Sequence, residues 1–284
     1  MYTTPRSVLM TGCSTGIGLT AAHLMRGRNW RVFPTARKQA DVDRLRQNGF
    51  EAFLLDYEKP ETIKTALGTV LERTEGKLDA LFNNGAYAIP GALEDMPVEG
   101  LQTLFQANFF GWHDLTRQVI PVMRTQKSGR IVQCSSILGF IAMKYRGAYT
   151  SSKFALEAYS DTLRQELAGT GIQVSLIEPG PIATEFTPNS LANFDQWIGP
   201  AGLESSVHRT TYEKRRSRME KGEPGPFKLP PEAVVKRLIH ALEAQKPKPR
   251  YYVTIPTTVL GVAKRFLSTR VLDRVLIRAA DSEE

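Results

Sequence analysis

The chain has 284 residues and a formal net charge of +8, and its 42% hydrophobic and 23% charged residues are ordinary for a soluble globular protein. No run of 18 consecutive apolar residues occurs, which argues against a membrane-spanning helix. The Lys and Arg residues are scattered, with the densest groups at 214–218 and in the last 25 residues, so they form no recognisable reading helix for nucleic acid.

The cysteines and the N-terminal residues indicate a reducing, cytoplasmic compartment. Cys13 and Cys134 are the only cysteines and neither belongs to a CxxC pair, so we expect neither a disulfide framework nor a metal site. The N-terminal stretch MYTTPRSVLMTG has no long apolar segment followed by a small-residue cleavage site, so we expect no export signal.

Short apolar runs alternate with longer helix-like segments along the chain. This alternation predicts an α/β fold, a Rossmann-type doubly wound parallel sheet with helices on both faces. The apolar runs are nearly continuous, as strands buried on both faces require. We expect a single domain over residues 1–284. The predicted strands are SVLMT, RVFPTA, EAFLL, LDALFNN, RIVQCSS, IQVSLIEP and YYVTI, and the predicted helices occupy 16–28, 40–48, 60–75, 97–126, 147–169 and the segment PPEAVVKRLIHALEA.

A glycine-rich turn, TGCSTGIG at residues 11–18, follows the first strand and opens the first helix. Gly12, Gly16 and Gly18 permit a tight turn and a close backbone approach to a ligand. Unpaired N–H groups and the helix dipole favour an anion at a helix N-terminus, so the turn indicates a dinucleotide phosphate site. A purely structural turn is the alternative.

The end of the second strand bears on the choice of dinucleotide. A carboxylate there would accept hydrogen bonds from the adenosine ribose and repel a 2′-phosphate. Here the strand ends PTARK, with Ala36 and Arg37 in that place. A guanidinium pairs with phosphate through a planar fork of donors, so Arg37 favours NADP unless it belongs to a solvated basic turn.

Two segments exceed what this alternating pattern needs. Residues 185–229 are rich in Pro, Gly and charge and indicate an insertion or a mobile substrate lid. Residues 257–284 form an extension whose apolar residues recur in steps of three and four, with basic residues largely off that stripe. Such a stripe most commonly packs on the protein's own body or on another subunit. Peripheral contact of 257–280 with an anionic membrane surface is the alternative.

Tyr149 and Lys153 lie four residues apart in a predicted helix. Residues with this spacing share one helix face, so the pair alone fits a solvated surface as well as a catalytic site. Other motifs supply the missing context, and they occur in a fixed order after the glycine turn. These motifs are NNGA at 83–86, ANFFG at 107–111, SSILG at 135–139, YTSSK at 149–153 and EPGPIAT at 178–184.

With these motifs the chain resembles the short-chain dehydrogenase/reductase family over residues 7 to about 185. The resemblance implies that Tyr149 gives a proton to a substrate carbonyl oxygen. The Lys153 ammonium would lower the pKa of this tyrosine, which is about 10 when free, and would bind the nicotinamide ribose. Ser136, rather than Ser135, matches the family's catalytic serine and would hydrogen-bond the substrate oxygen, while Asn108 would hold a water in a proton relay.

The resemblance also implies a set of residues that bind NADP(H). Asp56 would contact adenine, although an acidic residue at the end of a strand is also an ordinary turn former, and Thr184 would contact the carboxamide. The loop of Asn83 exchanges the two small residues of the family's NNAG, which can alter its backbone. The implied set is Gly12, Ser14, Thr15, Gly16, Ile17, Gly18, Arg37, Asp56, Asn83, Tyr149, Lys153, Pro179, Gly180, Ile182 and Thr184.

Within the family, SLIEPGPIATEF and the basic extension are most similar to the branch of retinol dehydrogenases, hydroxysteroid dehydrogenases and bacterial aldehyde reductases. The resemblance implies an NADPH-preferring reductase of hydrophobic aldehydes or ketones, reversible on the alcohols, that forms a homodimer or homotetramer. A non-catalytic NADP-binding regulatory protein is one alternative, and a nucleic-acid binder is suggested by charge alone. The mostly apolar residues expected to face the substrate are Tyr87, Ile141, Met143 and Phe186.

Overall fold

A seven-stranded parallel sheet forms the centre of the computed structural model, which describes residues 5–221 and 227–281. The strand order is β3-β2-β1-β4-β5-β6-β7, and every neighbouring pair is parallel. The winding reverses between β1 and β4, and ligands of such sheets bind there, outside the carboxyl ends of the strands. The strands are β1 (Ser7–Met10), β2 (Arg31–Ala36), β3 (Phe53–Leu54), β4 (Ala80–Asn83), β5 (Gly129–Cys134), β6 (Ile172–Glu178) and β7 (Arg250–Tyr252).

Helices cover both faces of the sheet, which confirms the predicted α/β, Rossmann-type doubly wound fold. On one side α1 (Gly16–Arg26) packs on α10 (Glu232–Glu243). On the other, α3 (Pro60–Arg73) packs on α5 (Gly111–Gln126). The other helices of the sheet region are α2 (Gln39–Gln47), α4 (Val98–Phe105) and α6 (Gly147–Glu166).

Burial on both faces explains why the strands consist of apolar runs. Leu9 and Met10 in β1 and Leu81 in β4 have no exposed surface. A strand with one face in water would alternate apolar and polar residues instead. Cys13 and Cys134 lie in this core as free, buried thiols. The loops that leave the carboxyl ends of the strands therefore start from rigidly packed positions.

A π-helical turn interrupts the helix predicted over 97–126. It spans Gln106–Phe110 and joins α4 directly to α5 without a loop. A π turn changes the helical register and often occurs at functional sites. Here it contains Asn108, whose side chain has no exposed surface. The apolar periodicity of 97–126 does not show this change of register.

Three helices form within the segment 185–229. They are α7 (Phe186–Trp197), α8 (Gly199–Ser205) and α9 (Arg209–Glu220), while 222–226 lie outside the described residues. Phe194, Ile198 and Tyr212 pack into a small core of their own, which stabilises α7 and α9. A parallel bridge between Ile182 and Leu229 closes the base of the segment.

The chain turns earlier after β7 than the strand predicted over 251–255. β7 ends at Tyr252, and Thr254 caps α11 (Ile255–Phe266) by accepting a hydrogen bond from the N–H of Thr257. Ile255 therefore begins a helix and does not end a strand. A second helix, α12 (Thr269–Asp281), completes the described part of the extension, and 282–284 lie outside it.

The apolar stripe of the extension does not pack on the body of the protein. Val259, Val262 and Phe266 are 57%, 52% and 82% exposed. These three residues therefore do not pack on the protein's own body, and packing on another subunit stays a prediction. Among the residues that the structure describes, every helix is too short or too polar to cross a bilayer.

Candidate active site

The glycine-rich turn lies at the carboxyl end of β1, where the chain enters α1. Gly12 and Gly16 have φ angles of +65° and +55°, in the left-handed region that favours glycine. A Cβ at Gly12 would lie 2.5 Å from the Cα of Gly85, and a Cβ at Gly16 would lie 3.0 Å from Thr184. Three segments predicted to bind one cofactor therefore meet at this turn.

The first turn of α1 is open to an anion. It contains no acidic residue, and the Thr15 side chain makes no capping hydrogen bond. A Cβ at Gly18 would lie 2.2 Å from the carbonyl oxygen of Gly12, so the close approach requires glycine here. The Ser14 carbonyl accepts a hydrogen bond of 2.8 Å from Arg44, a residue that the sequence had not singled out. Together these features fit a dinucleotide phosphate at the N-terminus of α1.

The NNGA loop supports the glycine turn from the neighbouring strand end. Asn84 Nδ2 donates to the carbonyl oxygens of Thr11 and Gly12 at 3.1 and 3.2 Å. Thr11 Oγ1 accepts the N–H groups of Asn84 and Gly85 at 2.9 and 3.2 Å. A Cβ at Gly85 would lie 3.3 Å from Gly12, so glycine at this exchanged position eases a close approach. Thr11 and Asn84 were not among the predicted site residues, although both belong to matched motifs.

Asn83 lies beneath this loop, and other protein groups engage its side chain. It has no exposed surface. Its Nδ2 donates to Gln133 Oε1 at 2.9 Å and to Thr116 Oγ1 at 3.1 Å, and its Oδ1 lies 2.7 Å from the Tyr57 hydroxyl. The side chain therefore fixes the end of β4, and a cofactor contact by Asn83 would have to use its backbone.

Arg37 and Asp56 lie just beyond the ends of β2 and β3. Arg37 is exposed and directly follows Ala36, the last residue of β2. Asp56 Oδ1 accepts a hydrogen bond of 3.1 Å from the N–H of Glu58, so this carboxylate serves the turn before α3. An exposed guanidinium at a strand end without a carboxylate fits a ribose 2′-phosphate.

Ser135 and Ser136 follow β5 in different environments. Ser135 is 4% exposed, and its hydroxyl has no hydrogen-bond partner among the described residues. Ser136 is half-buried, and its Oγ accepts the N–H of Leu138 at 3.1 Å, which caps a short 3₁₀ turn. Ser136 is therefore the more accessible hydroxyl of the two.

Tyr149 and Lys153 point into the protein from the start of α6. They are 8% and 1% exposed. Lys153 Nζ donates to the carbonyl oxygen of Cys134 at 2.9 Å and lies 4.3 Å from the ring centroid of Trp112. The same Nζ lies 5.6 Å from the ring centroid of Tyr149. The pair is therefore not a solvated helix surface but a buried phenol and ammonium beside the end of β5.

Burial controls the proton affinity of both groups. It lowers the pKa of Lys153 to about 8, because the charged form loses hydration. It also raises the pKa of Tyr149 well above its ordinary value, an effect that a hydrogen bond with Ser136 partly offsets. The lowering of the tyrosine pKa by Lys153 stays a prediction, since Nζ in this structure donates to the Cys134 carbonyl. Tyr149 is a protonated phenol at neutral pH.

Asn108 connects the loop after β4 to α6. Its Oδ1 accepts the N–H of Tyr87 at 3.1 Å, and its Nδ2 donates to the Tyr87 carbonyl at 2.8 Å. The same Nδ2 donates to Ser152 Oγ at 3.2 Å, next to Lys153 in the chain. The side-chain amide is thus already engaged by protein groups, and the water predicted at Asn108 stays a prediction.

The segment after β6 runs beside the Ser136 turn. The Pro179 carbonyl accepts the N–H of Ile137 at 2.8 Å. A Cβ at Gly180 would lie 2.1 Å from Thr254 Oγ1, so glycine allows this close packing. Pro179 and Gly180 therefore lie between the turn of Ser136, the predicted catalytic serine, and Thr254, which caps α11. The two isoleucines predicted to contact the cofactor are partly buried against the main core: Ile17 and Ile182.

The residues predicted to face the substrate differ in their surroundings. Phe186 is 37% exposed and packs edge-on against Tyr149, with ring centroids 5.5 Å apart. Met143 lines a cavity of ≈ 480 Å³ beside the start of α6. Ile141 is buried and Tyr87 is half-buried. The first residue of α7 thus brings an apolar ring against the candidate proton donor.

An ionic cluster with two buried carboxylates, Glu157 and Glu178, lies one helical turn beyond Lys153. The Arg250 guanidinium contacts the carboxylates of Glu157, Asp161 and Glu178. Glu178 has no exposed surface, and its burial together with the charge of Glu157 raises its pKa to about 8. This cluster was not predicted from the sequence. One signal for it was present in the sequence: Glu178 ends the apolar run IQVSLIE, which is predicted to be a buried strand. A carboxylate that is buried requires a charged or hydrogen-bonding partner.

Comparisons with known proteins agree with this geometry. Escherichia coli YbbO, an uncharacterized oxidoreductase, is 41% identical over 271 residues, which cover 95% of this chain and 94% of YbbO. Human retinol dehydrogenase 8 is 32% identical over 218 residues, covering 73% of this chain and 69% of the relative. The NADPH-dependent 3-dehydrocapnine reductase of Ornithobacterium rhinotracheale is 30% identical over 284 residues, covering 96% of each chain.

A solved structure and a family model extend the comparison. A short-chain dehydrogenase from Streptomyces avermitilis superposes with a TM-score of 0.71 at 26% identity, covering 93% of this chain and 97% of the other. The family model for short chain dehydrogenase matches residues 6–194. The chain is therefore an oxidoreductase that belongs to the short-chain dehydrogenase family.

Proposed function

We propose that the protein is an NADPH-dependent reductase of hydrophobic aldehydes or ketones that also oxidises the corresponding alcohols. The observation that carries this proposal is the burial of a protonated Tyr149 and of Lys153 next to the Ser136 turn. Cofactor binding alone does not require a buried phenol beside a buried ammonium. A non-catalytic NADP-binding protein is therefore the less favoured function.

The protein's own groups have separate tasks in the proposed reaction. Bound NADPH would supply the hydride. Tyr149 gives the proton to the carbonyl oxygen, as a phenol that carries its proton at neutral pH. Ser136 holds the substrate oxygen through a hydroxyl that the Leu138 N–H already orients. Lys153 keeps a positive charge beneath the site and is proposed to hold the ribose.

The preference for NADPH follows from the end of β2. Arg37 is exposed there, and Ala36 brings no carboxylate that would repel a 2′-phosphate. The name of the relative from Ornithobacterium rhinotracheale also records NADPH dependence. We propose that Arg37 pairs with the 2′-phosphate, and that Arg44 keeps the glycine turn in place through Ser14.

Ala36→Asp combined with Arg37→Ala is expected to shift the preference toward NADH. A charged hydrogen bond contributes about 1.5–3 kcal/mol, so the ratio of kcat/KM for NADPH to that for NADH should fall by about tenfold or more. Steady-state kinetics with both cofactors measure this ratio. Arg46→Ala on α2, where Arg46 pairs with Asp43, is the matched control. An unchanged ratio in the double variant would show that the phosphate is bound elsewhere.

The hydrophobic substrate class follows from the apolar residues near Tyr149. Phe186 packs on the phenol, and Met143 lines a cavity that also contacts Gly147, the first residue of α6. The similarity to human retinol dehydrogenase 8 supports an apolar substrate. The test is an NADPH-consumption screen against aldehydes, ketosteroids and quinones. Turnover of apolar carbonyl compounds is expected, whereas NADPH binding without turnover of any of them would favour the non-catalytic function.

Activity is expected to fall above about pH 8, because burial lowers the pKa of Lys153 to about 8. Below that pH the ammonium is present, and above it each pH unit removes about nine tenths of the charged form. A profile of kcat/KM against pH reports this ionisation in the free enzyme. Lys153→Arg keeps its charge to above pH 12. The pH profile of this variant should lack the decline near pH 8, even if the variant is slower than the unmodified enzyme. If both proteins show the decline, the ionisation of Lys153 does not cause it.

A further inference from the structure

Helix α11 presents a complete apolar stripe to solvent. Ile255, Val259, Val262 and Phe266 are 68%, 57%, 52% and 82% exposed. Their spacing of four, three and four residues places them on one face of the helix. The opposite face is buried through Thr257 and Gly261. These four residues, the α11 stripe, are therefore held outward by the way the helix packs.

Unpaired cations accompany the stripe. Arg265 on α11 and Arg270, Arg274 and Arg278 on α12 are exposed, and none of them forms an ion pair with the described residues. Asp273 is the single acidic residue within 257–280. Val271 and Val275, which are 40% and 44% exposed, add apolar surface to α12.

We propose that α11 and α12 dock the protein on an anionic lipid bilayer. The α11 stripe enters the boundary between headgroups and acyl chains, and the arginines contact the lipid phosphates. An amphipathic helix with a cationic polar side binds in this manner, and its affinity depends on both apolar area and anionic lipid.

Charge distinguishes the bilayer from a second copy of the chain. A twofold interface brings the same surface patch of each subunit together. Such an interface would bring the cationic side of α11 and α12 against the same cationic side of the other subunit, and like charges at an interface are unfavourable. Anionic headgroups neutralise the same arginines, so the bilayer fits this surface better.

The docking surface borders the candidate active site. A Cβ at Gly261 would lie 2.7 Å from the ring of Tyr252, and that ring packs on Phe140 with centroids 5.5 Å apart. Lys264 Nζ donates to the Phe140 carbonyl at 2.6 Å, just past the Ser136 turn. At the other end, Asp281 of α12 pairs with Lys144 at 2.6 Å. Apolar substrate dissolved in the bilayer would thus reach the site from this side, a consequence that rests on the proposed function, whereas the docking itself does not.

The test is flotation of the full chain with phosphatidylcholine vesicles prepared with and without phosphatidylglycerol, at low and high salt. Binding is expected only to the anionic vesicles and should weaken with salt. Phe266→Ser should lower the affinity at least about tenfold, since it removes a large apolar side chain that the bilayer would bury. Each of Arg270→Gln, Arg274→Gln and Arg278→Gln should lower it about fivefold.

Matched controls lie outside the docking surface. Val98→Ser on α4, where Val98 is 64% exposed, and Arg209→Gln on α9 should leave vesicle binding unchanged. Absence of binding to anionic vesicles at low salt would overturn the proposal, as would equal binding by Phe266→Ser. Light scattering without lipid gives a third decisive result, because dissociation of an oligomer by Phe266→Ser would assign the stripe to a subunit interface. NADPH turnover does not enter these measurements, so failure of the proposed function would not alter their outcome.

Discussion

Tyr149→Phe is expected to lower kcat by about 10²–10⁴-fold, the usual contribution of a positioned general acid, while NADPH still binds. The substitution removes only the hydroxyl. The ring, which is 8% exposed and packs against Phe186, keeps its place, so the fold and the glycine turn should be unaffected. Turnover is measured by NADPH consumption with the best carbonyl substrate, and binding by fluorescence titration.

Tyr159→Phe is the matched control for this substitution. It lies on the same helix, and its hydroxyl lies 3.3 Å from His113 Nδ1, away from Lys153 and Ser136. We expect a rate close to that of the unmodified enzyme. A rate for Tyr149→Phe within a few fold of the unmodified enzyme would remove the phenol as the proton donor and leave the chemistry to another group.

Arg250→Met is expected to lower the free energy of unfolding by about 3–5 kcal/mol, because it leaves the Glu157 carboxylate, which is 8% exposed, without its cation. Arg250 is the partner of Glu157, Asp161 and Glu178, and Glu178 has no exposed surface. Chemical denaturation at several pH values measures the loss. Arg216→Met, which breaks the exposed pairs with Asp195 and Glu220, should cost only about 0–1 kcal/mol.

The cost of Arg250→Met should grow with pH. Burial raises the pKa of Glu178 to about 8 in the folded protein, whereas a free glutamate has a pKa of about 4.3. Between these two pKa values the unfolded chain has released this proton and the folded protein still holds it. The free energy of unfolding therefore falls as the pH rises through this range. Without Arg250 the pKa of Glu178 should rise further, so the loss of stability should continue to a higher pH. Glu178→Gln in the Arg250→Met background should then restore part of the stability at pH 8. Equal costs for Arg250→Met and Arg216→Met would show that the buried cluster contributes no more than a surface pair.

The sheet and its order of elements were predictable because their signals are local. A strand buried on both faces needs an apolar run, and a helix that covers it needs apolar residues every three or four positions. The glycines at 12 and 16 were likewise readable, because their left-handed φ angles and the close approach of the backbone exclude side chains. The three helices of 185–229 were not, since their stability comes from Phe194, Ile198 and Tyr212 meeting in a separate small core.

The sequence by itself determined the parallel α/β sheet and the family to which the chain belongs, because strand runs, helix periods and motif spacing are properties of neighbouring residues. Only the tertiary structure decided the environment of each group. It buried Tyr149 and so raised its pKa, directed Lys153 to the Cys134 carbonyl, and paired Arg250 with Glu178, 72 residues away. It also left Phe266 exposed. Hydration and ion pairing depend on which distant segments pack together, and no local pattern in the chain specifies that.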